Sequence, residues 1–149
     1  MNSISALSSI TIAAIVIFSF SILAAEHPHR SPAAPVDGNN PLIEEMVKLD
    51  EVFRDVVSAV AVSDGHRVYE ALETMHGTME KTHEGVHHGT VTLKKNADRM
   101  KEFIEQDKQF HAKLEDLGKA SHKNDGNAML SLTKDLLDRC VKCHRDFRP

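Results

Sequence analysis

From Asn40 to Pro149 the apolar residues recur at intervals of three and four rather than alternating, so the pattern predicts helices and no strand. The first stripe is Leu42, Met46, Leu49, Phe53, Val56 and Val60, spaced 4, 3, 4, 3, 4. Asn40 stands as its N-cap, Pro41 takes the first helical position, and Glu44 and Glu45 lie in the first turn, where carboxylates suit the positive end of the helix dipole. "VSDGH" at 62–66 ends this helix, with Ser63 or Asp64 ready to cap the next. A second helix is expected to turn Val68, Leu72, Met75, Met79 and either His83 or Val86 inward, up to the glycines of "GVHHGTVT" at 85–92. The third carries Leu93, Ala97, Met100, Phe103 or Ile104, Phe110, Leu114 and Leu117, and Gly118 weakens its end. "SHKNDGN" at 121–127 is the third turn, and a fourth helix presents Met129, Leu132, Leu136, Cys140, His144 and Phe147. Four helices with short connections predict an all-α fold, an up-down-up-down antiparallel four-helix bundle.

Two different compositions precede this domain, which spans 41–149. Residues 4–25 carry no charge, and the apolar centre from Ile10 to Ala25 has the length of a secretory h-region, so 1–25 reads as a signal peptide or an N-terminal anchor. No Lys or Arg stands before the run, and its uncharged length of about 20 residues also suffices to span a bilayer, which keeps the anchor open. Either reading exports the remainder, with the periplasm as its expected place, and any membrane contact is through this segment alone if it stays uncleaved. Residues 26–40, proline-rich and poor in large apolar groups, form a linker.

The chain has 18 Lys and Arg against 22 Asp and Glu, a mildly acidic balance that argues against a nucleic-acid partner. Arg139, Lys142, Arg145 and Arg148 nevertheless gather in the last eleven residues. They suit the negative end of a helix dipole and equally a docking patch for an acidic redox partner.

The only two cysteines lie in that same stretch, "RCVKCHRDFRP". Cys140, Val141, Lys142, Cys143 and His144 spell C-x-x-C-H, the attachment signature of a c-type haem. Two thiols three apart reach the two vinyl groups on one porphyrin edge, while the adjacent imidazole ligates iron from the proximal side. On a helix Cys140 and His144 are four apart and leave the same face. A disulfide, a redox-active dithiol and half of a zinc site are the competing readings. The dithiol lacks a β-α-β context, and zinc lacks a second pair of soft ligands.

An exported four-helix domain with this motif near its carboxyl end, continued as "CHRDFR", resembles the class II c-type cytochromes, the cytochrome c′ family. The resemblance covers residues 40–149, is specific at Cys140, Cys143, His144, Phe147 and Arg148, and is architectural elsewhere. It implies one covalently attached haem c, a single-electron carrier serving redox partner proteins, and a homodimer through the first two helices as one admissible assembly. The Pro-rich lead-in and the many histidines of the second helix depart from the family's pattern.

The sixth position of the iron decides between an electron carrier and a five-coordinate protein that binds NO or CO. His144 is five residues from the chain end and Met46 five beyond Pro41, so at about 1.5 Å per residue both lie at similar depth in an up-down bundle. His83 lies near the same depth. Met79 and Met100 read as packing groups beside Leu49, Phe53, Phe103 and Phe147, while Met75, Met129 and His66 fall too far away. In low-spin members of the resembled family a Met near the start of the first helix is the sixth ligand, and "PLIEEMVKLD" matches Met46 to it. Arg148 is expected either at a haem propionate or in water. His76, His83, His87 and His88, near Glu80 and Glu84, are a second candidate metal set. No acid, base and nucleophile surround a cleft in this reading, which therefore expects no enzyme.

Overall fold

A computed structural model describes residues 40–149; the leader expected at 1–25 and all but the last residue of the linker lie outside the described residues. Every regular element among the described residues is helical: α1 (Pro41–Ala61), α2 (Gly65–Glu73), α3 (Thr78–His87), a 3-10 turn (Ala97–Arg99), α4 (Met100–His122) and α5 (Gly126–Phe147). The fold is all-α, as the periodicity predicts. No described helix is long and apolar enough to cross a membrane.

Side chains that satisfy orphaned backbone groups set the helix starts. Asn40 Oδ1 accepts from the Leu42 amide at 3.1 Å, Asp64 Oδ1 from Arg67 at 3.1 Å, and Asp125 Oδ1 from Ala128 at 3.0 Å. Of the two caps offered for the second helix, Asp64 is the one used, and Ser63 takes a left-handed turn conformation (φ 56°) before it.

Two boundaries depart from the sequence reading. The second helix is broken in two, because Gly77 is left-handed (φ 78°) and the hydroxyls of Thr74 and Thr78 donate to the carbonyls of Ala71 and Met75 at 2.8 and 2.9 Å. The third helix begins at Met100 rather than near Leu93. Residues 90–93 are non-helical, and Val91 and Leu93 are nevertheless buried. Gly118 does not shorten that helix, which runs on to His122.

α1 packs on α2, α3 and α5, and α4 on α2, α3 and α5. The larger core joins Val52, Val56 and Ala59 of α1, Val68 of α2, Phe110, Leu114 and Leu117 of α4, and Met129 and Leu136 of α5. Leu117, Met129 and Leu136 are fully buried, each side chain contributing about 1.5–3 kcal/mol. A smaller cluster of Leu93, Phe103 and Phe147, flanked by Leu42, Met100, Ile104 and Cys143, closes the other end. Phe103 near the start of α4 meets Phe147 at the end of α5, ring centroids 5.6 Å apart and edge to face, so these two helices run antiparallel. At the opposite end the Gly65 amide donates to Asn124 Oδ1 at 2.9 Å, and a Cβ at Gly65 would stand 2.4 Å from the Ser121 carbonyl.

Candidate functional site

The C-x-x-C-H motif lies wholly within α5, one turn from its end. Cys140 and Cys143 are half-buried and free. Cys140 packs against the larger core and Cys143 against the Phe103–Phe147 cluster. Burial pushes both thiols up, and Cys143, to which Asp107 adds its negative charge, reaches about 11. Neither is the low-pKa thiolate that a redox-active dithiol requires, and the pair is not a disulfide.

His144 is exposed, not turned inward with the rest of its stripe. The burial its ring does have, and then the charge of Arg148, lower its pKa, which leaves the imidazole neutral and able to donate a lone pair at pH 7. Arg148 itself is exposed and ends α5, its amide donating to the His144 carbonyl at 3.0 Å.

A clamp that the sequence reading did not anticipate holds this end of α5. Lys95 Nζ donates to the Arg145 carbonyl at 2.5 Å and Asn96 Nδ2 to the Asp146 carbonyl at 2.6 Å, satisfying two carbonyls that the last turn of a helix leaves open. Arg99 lies over the Phe147 ring at 5.4 Å.

α1 places its residues differently from the expected stripe. Its buried side is Glu45, Val52, Val56, Ala59 and Val60, while Leu42, Met46, Leu49 and Phe53 are half-buried along one flank. Met46 sits on that flank between Leu42, which packs with the Cys143 cluster, and Leu49, which packs with Phe53 on the core that Cys140 touches.

Glu45 is turned inward by a second constellation. Its Oε1 lies 2.7 Å from His111 Nε2 and accepts from Thr78 Oγ1 at 3.5 Å. His111 Nε2 is 4.0 Å from Asp107 Oδ1, and Asp107 Oδ2 is 2.9 Å from His83 Nε2. Glu45 and Asp107 are 1% and 6% exposed, and among the described residues their only ionic partners are the two histidines. Burial first, then the charge of Glu45, pushes the Asp107 carboxyl up to about 6. The His111 pKa is raised as its partners Glu45 and Asp107 outweigh the opposing burial.

The expected histidine set does not form. His83 turns to Asp107, whereas His76 pairs with Glu73 at the surface and His87 and His88 are exposed. Two surface grooves, of about 660 and 650 Å3, flank the turns at 62–66 and 121–127 and include neither the C-x-x-C-H motif, Met46 nor the Glu45, His83, Asp107 and His111 cluster. Comparison with protein-family models, curated proteins and solved structures found no match for this chain.

Proposed function

We propose that this chain is an exported monohaem c-type cytochrome that carries single electrons, with His144 and Met46 as the residues that would ligate its iron. In this reading the helices form an up-down-up-down antiparallel bundle, with α2 and α3 together as its second member. The observation that carries the proposal is the arrangement of Cys140, Cys143 and His144: two un-ionised, unbridged thiols against apolar side chains on one continuous helix, with a neutral imidazole free beside them. That donor set fits haem c. Cys140 and Cys143 would hold one edge of the macrocycle through a thioether link each.

A haem so bound supplies a one-electron iron couple, its potential raised by a thioether ligand and an apolar surround. The chain's own residues hold and shield it. Cys140 and Cys143 fix the macrocycle edge, Leu49, Phe53 and Phe147 exclude water, and Met46 sits on the α1 flank bracketed by the two thiol-contacting clusters. Lys142, Arg145 and Arg148 are exposed around the motif and offer an acidic redox partner a positive surface. Arg148, in the turn after His144, belongs to the same exposed patch and would be a candidate partner for a propionate.

A second reading rests on one specific observation: the fully buried residue of this α1 turn is Glu45, not Met46. If Met46 only packs, the iron is five-coordinate and the protein binds NO or CO. Mass spectrometry and visible absorption of the protein matured in a host competent for c-type cytochromes test both. The expected result is the added mass of one haem, a low-spin spectrum, and conversion by Met46→Ala to a high-spin, CO-binding form. Cysteines without added mass would overturn the haem reading, and a spectrum unchanged in Met46→Ala would overturn the ligand.

A further inference from the structure

We propose that Glu45, Asp107 and His111 form a binding site for one divalent transition-metal ion, with His83 as the outer partner that orients Asp107. The site goes beyond the haem reading and uses none of its residues. Three ligand atoms, one from each of Glu45, Asp107 and His111, lie within 4.8 Å of one another in the interior between α1 and α4. Ligands held ~2.1 Å from a zinc ion stand roughly 3.4 Å apart in a tetrahedral set, and the observed separations of 2.7 and 4.0 Å lie on either side of that spacing.

The chemistry of the cluster points the same way. Two carboxylates share a nearly dry space with imidazoles as their only ionic partners among the described residues, and such a pair is costly unless a cation offsets it. Glu45 Oε2 is buried with no hydrogen-bond partner, an unspent lone-pair donor on a residue whose other oxygen already meets His111. One turn along α3 from Thr78, which reaches Glu45, Thr82 likewise buries an unpartnered hydroxyl. His83 donating to the far oxygen of Asp107 is the second-layer contact that fixes a ligating carboxylate. Imidazole and carboxylate without thiolate select zinc or another late divalent ion, and three protein ligands leave a coordination position for a small molecule.

Zinc chloride is the probe, added to the full-length purified protein, and the readout is zinc per chain after dialysis together with affinity against a competing chelator. One zinc per chain is expected, with Asp107→Asn and Glu45→Gln each weakening affinity by more than ~100-fold, beyond the loss typical of an outer-layer change. A variant carrying His76→Ala, His87→Ala and His88→Ala should bind as the parent does. Helicity by circular dichroism verifies each fold, and Asp107→Asn relieves carboxylate repulsion, so it remains a usable variant if Glu45→Gln does not fold. Absence of tight zinc in the parent, unchanged affinity in Asp107→Asn, or loss in the triple surface variant would each overturn the proposal. Zinc is read independently of iron and of the visible spectrum, so this outcome stands apart from that of the haem test.

Discussion

The two ends of the helical domain are built on opposite rules. At the end where the turns 62–64 and 123–125 meet, Ala59, Val68, Leu117, Ala120 and Met129 fill the interior, the buried Ser121 Oγ donates to the Gly118 carbonyl at 2.7 Å, and the exposed Asn124 Oδ1 accepts from the Gly65 amide. At the other end stand both cysteines, His144, two buried carboxylates and both of the partnerless buried side-chain atoms found among the described residues. The first end follows the rules of a stable core and the second breaks them locally. Such violations concentrate where a protein keeps function. The contrast therefore assigns stability to the turn end and chemistry to the motif end, an assignment that substitutions can break.

The largest expected effect tests the turn end. Leu117 is fully buried, and Leu117→Ala removes methyl groups from a space whose helices cannot fully collapse, at a cost of about 4 kcal/mol. Urea unfolding should show that loss while the visible spectrum and zinc content of the still-folded fraction stay as in the parent. A changed spectrum would mean that the two ends are mechanically one, and the division would fail.

How far the sequence discloses these two ends differs as well. The turn end is legible because its signals are local: Asp64 and Asp125 cap the helices next to them, and the stripes through Val56, Leu117 and Met129 keep their period. The break at Thr74–Gly77 is hidden, since Val68, Leu72, Met75 and Met79 keep a helical spacing across it, and only Gly77 between two threonines marks it. At the motif end C-x-x-C-H is legible as a motif, but the buried cluster is not, because its members lie up to 66 residues apart. One signal was present all the same. Phe103, Asp107, Phe110, Leu114 and Leu117 share a single stripe spaced 4, 3, 4, 3, and Glu45, Leu49, Val52, Val56 and Ala59 share another, each with one charged residue at an apolar position. A single misplaced charge reads as an exception, whereas two on helices that meet indicate a site.

The next effect sharpens the contrast through pH. Asp107 faces Glu45 from α1, His83 from α3, His111 on its own helix and Cys143 from α5. Because its folded-state pKa is raised from 3.8 to about 6, the folded protein binds more protons than the unfolded chain between those values. Stability is thus fully present below about pH 4 and falls as pH rises through about 6, a loss of about 2 to 3 kcal/mol. His111, also raised, slopes the same way at higher pH. In chelator-treated protein, Asp107→Asn should flatten most of this fall and be the more stable form at pH 7.5. Added zinc should reverse the order, since deprotonated ligands bind the ion more tightly. A parent whose metal-free stability rises between pH 4 and 6 would contradict the buried-carboxylate account.

The smallest effect isolates the clamp that holds the motif to its surroundings. Asn96 occupies the left-handed region (φ 52°), where glycine is at ease, so Asn96→Gly removes the hydrogen bond to the Asp146 carbonyl without imposing backbone strain. One lost hydrogen bond at a partly buried site costs about 1 kcal/mol, to which the freer unfolded chain adds a few tenths. Asn96→Ala loses the same bond and must also hold an unfavourable φ, so it should be the less stable of the two. Because the bond ends three residues beyond Cys143, hydrogen exchange should quicken at the last turn of α5 and leave the amides around Leu117 and Met129 unchanged. Equal exchange at both ends would mean that the carbonyls of α5 are held by the helix alone and that residues 95 and 96 only pass by.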